Sequence, residues 1–150
     1  IVKDKKVILE IVGPADKEYF DYLKNLVKKL SLEKRVFFKE PIYDVKEKIK
    51  KIDSGKIYVL PSRVEGMPQS LIEAMARGKI VIGSDSIAIR DLIRHGVNGY
   101  LFEFNNPKSL ADQISYALSR RNSVGKNAKE FVKQFNWEKI IKKINQEILN

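Results

Sequence analysis

Apolar residues recur along this chain in two alternating periods, and the alternation predicts the elements. Val7 to Val12 is a β-branched run stopped by Gly13 and Pro14, which predicts a strand. Asp16 to Leu32 places Tyr19, Leu23, Leu26, Val27 and Leu30 at helical spacing. The pair repeats as a strand from Arg35 to Lys39, ended by Glu40 and Pro41, and a helix from Val45 to Ile52. Ile57 to Leu60 and Ile80 to Gly83 predict further strands, separated by a helix that Pro68 opens and Gly78 closes. Asp91 to Arg94 belongs to a helix, Gly99 to Phe102 is a last short strand, and Pro107 to Ser119 is a helix with Leu110, Ile114 and Leu118 inward. Arg120 to Gly125 has the character of a linker. Asn127 to Phe135 and Trp137 to Leu149 predict two closing helices, with Asn136 capping the second. Strands rich in Ile, Val and Leu imply burial on both faces, so the fold class is α/β, a doubly wound parallel sheet flanked by helices.

That topology places a ligand site beyond the carboxyl ends of the strands, where strand order reverses. The loops at Gly13, Glu40 to Ile42, Ser62 to Ser70 and Ser84 to Ile87 are expected to ring one cleft. Within them, EGMPQSLIE is the stretch where acid, glycine, proline and apolar residues combine. A proline at the first helical position lacks only an N–H that would be unpaired anyway. The amides of Met67, Gln69 and Ser70 are then expected to point out of the helix end, a setting that favours an anion through open donors and the helix dipole. Glu65 before the helix and Glu73 within it add acceptor-only carboxylates, which suit sugar hydroxyls better than phosphate oxygens. Together they suit a ligand carrying both phosphate and hydroxyls. A plainer reading stands beside this one: Glu73 and Arg77 have the spacing of a surface ion pair, and Glu65 with Gly66 has that of a polar turn.

The run from Pro61 to Phe102 resembles the donor-binding half of family 4 retaining glycosyltransferases of the GT-B fold. The resemblance rests on Glu65 and Glu73 after a strand ending in Pro61 and Ser62, the Glu73-Ala74-Met75-Ala76 helix, the Gly78 to Gly83 strand and the Gly96-Val97-Asn98-Gly99 turn. It extends from Val7 to Trp137. It implies a Rossmann-like domain in which Glu65 is the catalytic candidate and binds donor-sugar hydroxyls. Glu73 would bind the nucleotide ribose, and Gly66 with the amides of Met67, Gln69 and Ser70 the sugar and diphosphate. Gly13 would let the backbone approach the ligand, and Pro41 would lie in the loop bordering the base. Trp137 would pack towards the other half of the enzyme, or serve as a core anchor. The resemblance also implies a fragment. The family's first strand unit, with its diphosphate-clamping Gly-Arg and Lys, and the N-terminal acceptor half are expected to be absent, so the isolated chain would bind a nucleotide-diphosphate sugar without transferring it. The acceptor class implied is a polysaccharide, glycolipid or glycoprotein glycan. A nucleotide-sugar epimerase of the same architecture and a non-catalytic nucleotide-binding module are the alternatives.

Composition narrows the partners. The 29 Lys and Arg against 19 Asp and Glu leave a formal charge of +10. The lysines are spread along helical surfaces, as at Lys46, Lys48, Lys50 and Lys51, without the aromatic interleaving of a single-strand platform, so nucleic acid is not the expected partner. A basic surface also suits peripheral contact with anionic membrane. The absence of cysteine excludes disulfides and thiolate metal sites and fits a reducing compartment, so the expected location is cytoplasmic, extending to the inner membrane face. The single histidine, His95, cannot build a histidine metal cluster and reads as a loop residue beside Gly96, so neither metal nor cofactor is expected. No apolar run has the length of a bilayer span.

Overall fold

The structure, a computed structural model, describes residues 6–119 and 123–136, with 138, 141, 142, 145 and 146. Trp137 and most of the closing helix expected after it lie outside the described residues. Among the described residues five strands alternate with helices: β1 (Leu9–Val12), α1 (Lys17–Lys29), β2 (Val36–Lys39), α2 (Val45–Ser54), β3 (Ile57–Leu60), α3 (Gln69–Ala76), β4 (Ile80–Ser84), α4 (Ile87–Leu92), β5 (Tyr100–Phe102), α5 (Pro107–Ser119) and α6 (Val124–Phe131), followed by a 3-10 turn at Val132–Phe135. All described pairings are parallel. The strands form two sheets, one of β1 and β2 and one in the order β3-β4-β5. The chain correspondingly divides into two compact units, residues 2–50 and the residues from Lys51 onward.

In the first unit α1 is started by Asp16, whose carboxylate accepts from the N–H groups of Glu18 at 3.0 Å and Tyr19 at 3.2 Å. One apolar stripe of the helix turns inward, with Phe20 edge-on to Phe38 of β2 at 5.1 Å. The expectation that every strand is buried on both faces fails for β1, whose four residues are all exposed. Apolar composition signals what a strand could bury. It does not say whether a neighbour is present.

The second unit holds the core. All but the first residue of β4 are buried, and its alternation directs Val81 into one cluster and Ile82 into another. On the Val81 side, α3 contributes Leu71, Ala74 and Met75, α4 Ile89 and Leu92, and α6 Ala128. On the other, Ile82 meets Tyr100, Phe102 and Ala117, with Leu110 and Ile114 of α5 half-buried against them. Leu118, expected inward, is exposed, and Ala117 takes the interior position. Full burial of a Leu or Met contributes about 1.5–3 kcal/mol, so the α3 face alone anchors its helix firmly.

Helix α3 ends as its glycine predicts. Gly78 adopts φ +70°, with its N–H on Met75 O at 2.8 Å and the Lys79 N–H on Ala74 O at 3.1 Å. The linker expected through Gly125 is shorter than that, because Val124 opens α6 and both Val124 and Gly125 are buried. Gly125 is there for close approach, since a Cβ at this position would fall 2.2 Å from the carbonyl oxygen of Gly78. Gly125→Ala should therefore destabilise by about 1–3 kcal/mol despite alanine's better helix propensity, because backbone cannot yield as a side chain does. Urea denaturation checks this, and a stabilised variant would contradict it.

At the amino ends of β3 and β4, the end of α2 is tied down by cations. Lys79 Nζ donates to the carbonyls of Asp53 at 2.6 Å and Gly55 at 2.9 Å, satisfying groups that a helix terminus leaves open. Arg77 grips the Asp53 carboxylate with two bonds, Nε at 2.9 Å and Nη2 at 2.5 Å. Those hydrogen bonds hold the Asp53 carboxyl below its ordinary value against an opposing effect of burial, and the charges of Arg77 and Lys79 deepen the depression. A carboxylate depressed in the folded state contributes stability above its unfolded pKa, about 4, and that stability is lost as pH falls through the folded value. Asp53→Asn should flatten this dependence: melting temperatures measured from pH 6 down to pH 2 should fall less steeply in the variant than in the parent chain. Parallel curves would remove the Asp53 contribution.

Candidate functional site

Strands β3 and β4 run in register, with Leu60 beside Gly83, so the loops leaving their carboxyl ends start side by side. Ser84, wholly buried at the end of β4, donates its hydroxyl to the carbonyl of Ser62 and ties the two loops together. Asp85 continues the ties to the end of β5, its N–H on Phe102 O at 3.0 Å and its carboxylate accepting from the Phe104 N–H at 3.0 Å. Three adjacent strand ends are thereby fixed by side chains that the hydrophobic pattern could not rank.

The loop over residues 61–68 carries Glu65 half-buried, with Gly66 and Met67 exposed. A Cβ at Gly66 would meet nothing within 4 Å, so open space surrounds this position. Pro68 is buried and stands one residue earlier than expected, as the cap rather than the first residue of α3. Its ψ of 79° lies outside the helical range, while its carbonyl already accepts from Leu71 at 3.0 Å and Ile72 at 3.2 Å. The expectation of three outward amides needs one amendment. The Gln69 N–H turns back onto Met67 O at 2.8 Å, whereas the amides of Met67 and Ser70 have no hydrogen bond among the described residues.

Glu73 lies one turn into α3, on the same side as Gln69 and opposite Leu71, Ala74 and Met75. That side is the solvent side of an amphipathic helix, yet Glu73 is half-buried. The ion pair that its spacing suggested is not how Arg77 is used, since Arg77 grips Asp53. Glu65, Gly66, Met67, Gln69, Ser70 and Glu73 thus belong to one loop and helix at the carboxyl end of β3. Gly13 and Pro41 belong to the first unit, at the carboxyl ends of β1 and β2. Gly13 takes φ +148°, a conformation open to glycine, and a Cβ there would meet nothing within 4 Å.

One polar group at this end went unranked in the sequence. Ser86 caps α4, but its hydroxyl makes no capping bond, and the oxygen is buried without a hydrogen-bond partner among the described residues. Its only signal was a serine just ahead of apolar Ile87 and Ile89. Arg63 and Arg90 are exposed. His95 is a turn residue with a structural bond: its Nδ1 accepts from the Leu101 N–H at 3.1 Å, which puts the ring proton on Nε2. No group of three acidic, His or Cys side chains is arranged to hold a metal among the described residues, and no described helix is long and apolar enough to cross a membrane. A cavity of about 540 Å³ lies at the opposite pole, at the amino ends of β3 and β4, where Asp53, Gly55 and Lys79 line it.

A parallel α/β unit with polar loops gathered at its strand ends defines the class, and the comparisons supply the family. The family described as "Glycosyl transferases group 1" matches residues 1–134. The N-acetyl-alpha-D-glucosaminyl L-malate synthase of Bacillus anthracis is 34% identical over 142 residues, covering 92% of this chain and 35% of that protein. An uncharacterized glycosyltransferase of Methanocaldococcus jannaschii is 31% identical over 157 residues, covering 97% of this chain and 38% of that protein. Among solved structures, Anabaena HepE in complex with UDP and glucose superposes with a TM-score of 0.81 at 26% identity, covering 95% of this chain and 40% of that one. The fold is the Rossmann-like fold of the GT-B glycosyltransferases, and this chain belongs to the group 1 glycosyl transferases. It spans only about a third of the length of the curated relatives it matches.

The Ser84 tie generates a test. Ser84→Ala leaves the Ser62 carbonyl, in a half-buried residue, without its donor and should cost about 1–3 kcal/mol of stability. Amide exchange should accelerate through residues 61–68 and 85–86, while exchange in α5 stays unchanged; uniform acceleration throughout would deny the tie its local role.

Proposed function

We propose that this chain is the C-terminal, donor-binding half of a retaining glycosyltransferase, taking a nucleotide-diphosphate sugar for transfer to a glycan or lipid-linked acceptor. The observation that carries the reading is Glu73: a carboxylate held half-buried on the outward side of α3, one turn beyond the amides of Met67 and Ser70, which have no hydrogen bond among the described residues. The UDP and glucose bound by HepE supply the chemistry to compare it with. In this reading Glu73 accepts from ribose hydroxyls, and Glu65 accepts from sugar hydroxyls as the one catalytic candidate. The amides of Met67 and Ser70, beside Gly66, face the diphosphate at the positive end of α3. Gln69 contributes through its side chain, because its amide is already bonded.

Transfer of this kind needs positioning and charge stabilisation, and both glutamates contribute by accepting hydroxyl hydrogen bonds. The acceptor-binding half is the partner the reading requires, and the isolated chain binds donor without turning it over. The strongly basic surface suits work at the inner face of an anionic membrane in the cytoplasm.

Calorimetric titration with UDP-, GDP- and ADP-sugars tests the site. One of the three should bind, and Glu73→Ala should weaken it by about 1–3 kcal/mol through loss of the ribose bonds. Since donor contacts come from amides and carboxylates, EDTA should leave the affinity unchanged. Binding indifferent to Glu73→Ala, or abolished by EDTA, would overturn this assignment.

A further inference from the structure

The turn ahead of β5 contains the one Asn-Gly pair of the sequence, Asn98-Gly99. In an open chain this dipeptide is especially prone to deamidate, because a glycine nitrogen has no side chain beside it to hinder its attack on the asparagine. The fold closes the pair off. Asn98 sits in a turn yet is only 3% exposed. Its Oδ1 accepts from the Arg94 N–H at 2.7 Å, and its Nδ2 donates to Leu92 O at 3.0 Å. Both ends of the side-chain amide are thus held by backbone that precedes it, and its carbonyl carbon cannot swing onto the Gly99 nitrogen unless both bonds break.

Packing also dictates that the vulnerable residues stay. A Cβ at Gly99 would fall 2.8 Å from Val81 Cγ2, 3.0 Å from Ile93 Cγ2 and 3.1 Å from Val81 O. A bulkier residue, which would shield the nitrogen from reaction, is therefore barred by β4 and by the segment after α4. Asn98 is needed in turn, since an apolar side chain in its place would leave the Arg94 N–H and the Leu92 carbonyl without their partner. The contacts that require the pair are the same contacts that keep it shut.

We propose that Asn98 is a self-modification site guarded by the fold: closed in the native chain, opened by unfolding, and irreversible once used. In the opened turn the Gly99 nitrogen gives up its proton and bonds to Cγ of Asn98. The Cγ–Nδ2 bond breaks and the nitrogen leaves as ammonia. Water then adds to one carbonyl of the resulting succinimide and opens the ring to aspartate or iso-aspartate, with no oxidant and no cofactor. Neither product fits. Aspartate presents an acceptor where the amide donated to Leu92 O, and iso-aspartate routes the main chain through Cβ, lengthening a turn that the Gly96 N–H closes on Gly99 O at 2.8 Å. The damage reaches β5, whose Tyr100 pairs beside Ile82 and whose Phe102 carbonyl holds Asp85. The inference does not depend on what the carboxyl pole binds.

The test follows the peptide carrying Asn98 by mass spectrometry, with residues 1–150 held at mildly alkaline pH and taken through a urea transition. In the folded chain deamidation at Asn98 should run at least about 100-fold slower than in a free peptide spanning His95 to Leu101, and its rate should climb with the unfolded fraction as urea is added. Asn98→Asp should either fail to fold or melt at least about 4 °C below the parent chain. When parent chain held unfolded is returned to native buffer, the molecules that do not regain the fold should be those carrying the modification. Deamidation of the folded chain at the free peptide's rate, an unchanged melting temperature in Asn98→Asp, or modified molecules that refold as well as unmodified ones would each overturn the proposal.

Discussion

Everything at the candidate site depends on how completely one face of α3 is buried. Leu71, Ala74 and Met75 have no exposed surface, and they lie against β4 and α6 in a cluster that also holds Val81, Ile89 and Ala128. A short helix has little stability of its own, so packing rather than propensity holds it in place. Once that face is fixed, the helical period leaves no freedom for the rest: Glu73 and Gln69 must project from the opposite side, and the first turn must open at the carboxyl end of β3. Glycine makes the fit tight at the other end of the helix, where Gly125 lets α6 lie directly on the Gly78 turn.

The two poles of the β3-β4-β5 unit have opposite chemistry. At the amino ends the polar groups are satisfied within the fold: Lys79 caps the end of α2, and Arg77 and Asp53 grip one another. At the carboxyl ends the loops are fixed by Ser84 and Asp85, while the Ser86 hydroxyl and the amides of Met67 and Ser70 have no bond among the described residues. Donors and acceptors that the fold does not use are what a polar ligand requires, and they collect at the pole where doubly wound sheets bind ligands. The cavity at the amino pole is larger to the eye than it is to chemistry, because Lys79 in its wall already serves the carbonyls of Asp53 and Gly55.

Where residues bury themselves locally, the sequence was readable. Ile57–Leu60 and Pro107–Ser119 stand as their periodicity predicts, and Asp16 and Asn136 accept the amide bonds that their capping positions imply. The misreadings came where tertiary contact decides. Gly125 looked like a linker residue because the sequence cannot show the carbonyl it must avoid. Ile87 and Ile89 hid the start of α4, since β-branched residues weaken a helical signal, and Leu118 lost its interior place to the smaller Ala117. That Glu65 through Glu73 share one loop and helix was legible in the motif. Its finer points were not: no spacing rule could show that Gln69 bonds back to Met67, that Arg77 would choose Asp53, or that the Ser86 hydroxyl would be left over.

The central claim is that ligand chemistry resides at the carboxyl pole, and amide chemical shifts recorded during titration with a nucleotide-diphosphate sugar test it most directly. Addition of the donor should shift the resonances of Gly66, Met67, Ser70 and Glu73 and leave those of Gly55 and Lys79 in place. Shifts centred on Gly55 and Lys79, with the α3 terminus unmoved, would contradict the account.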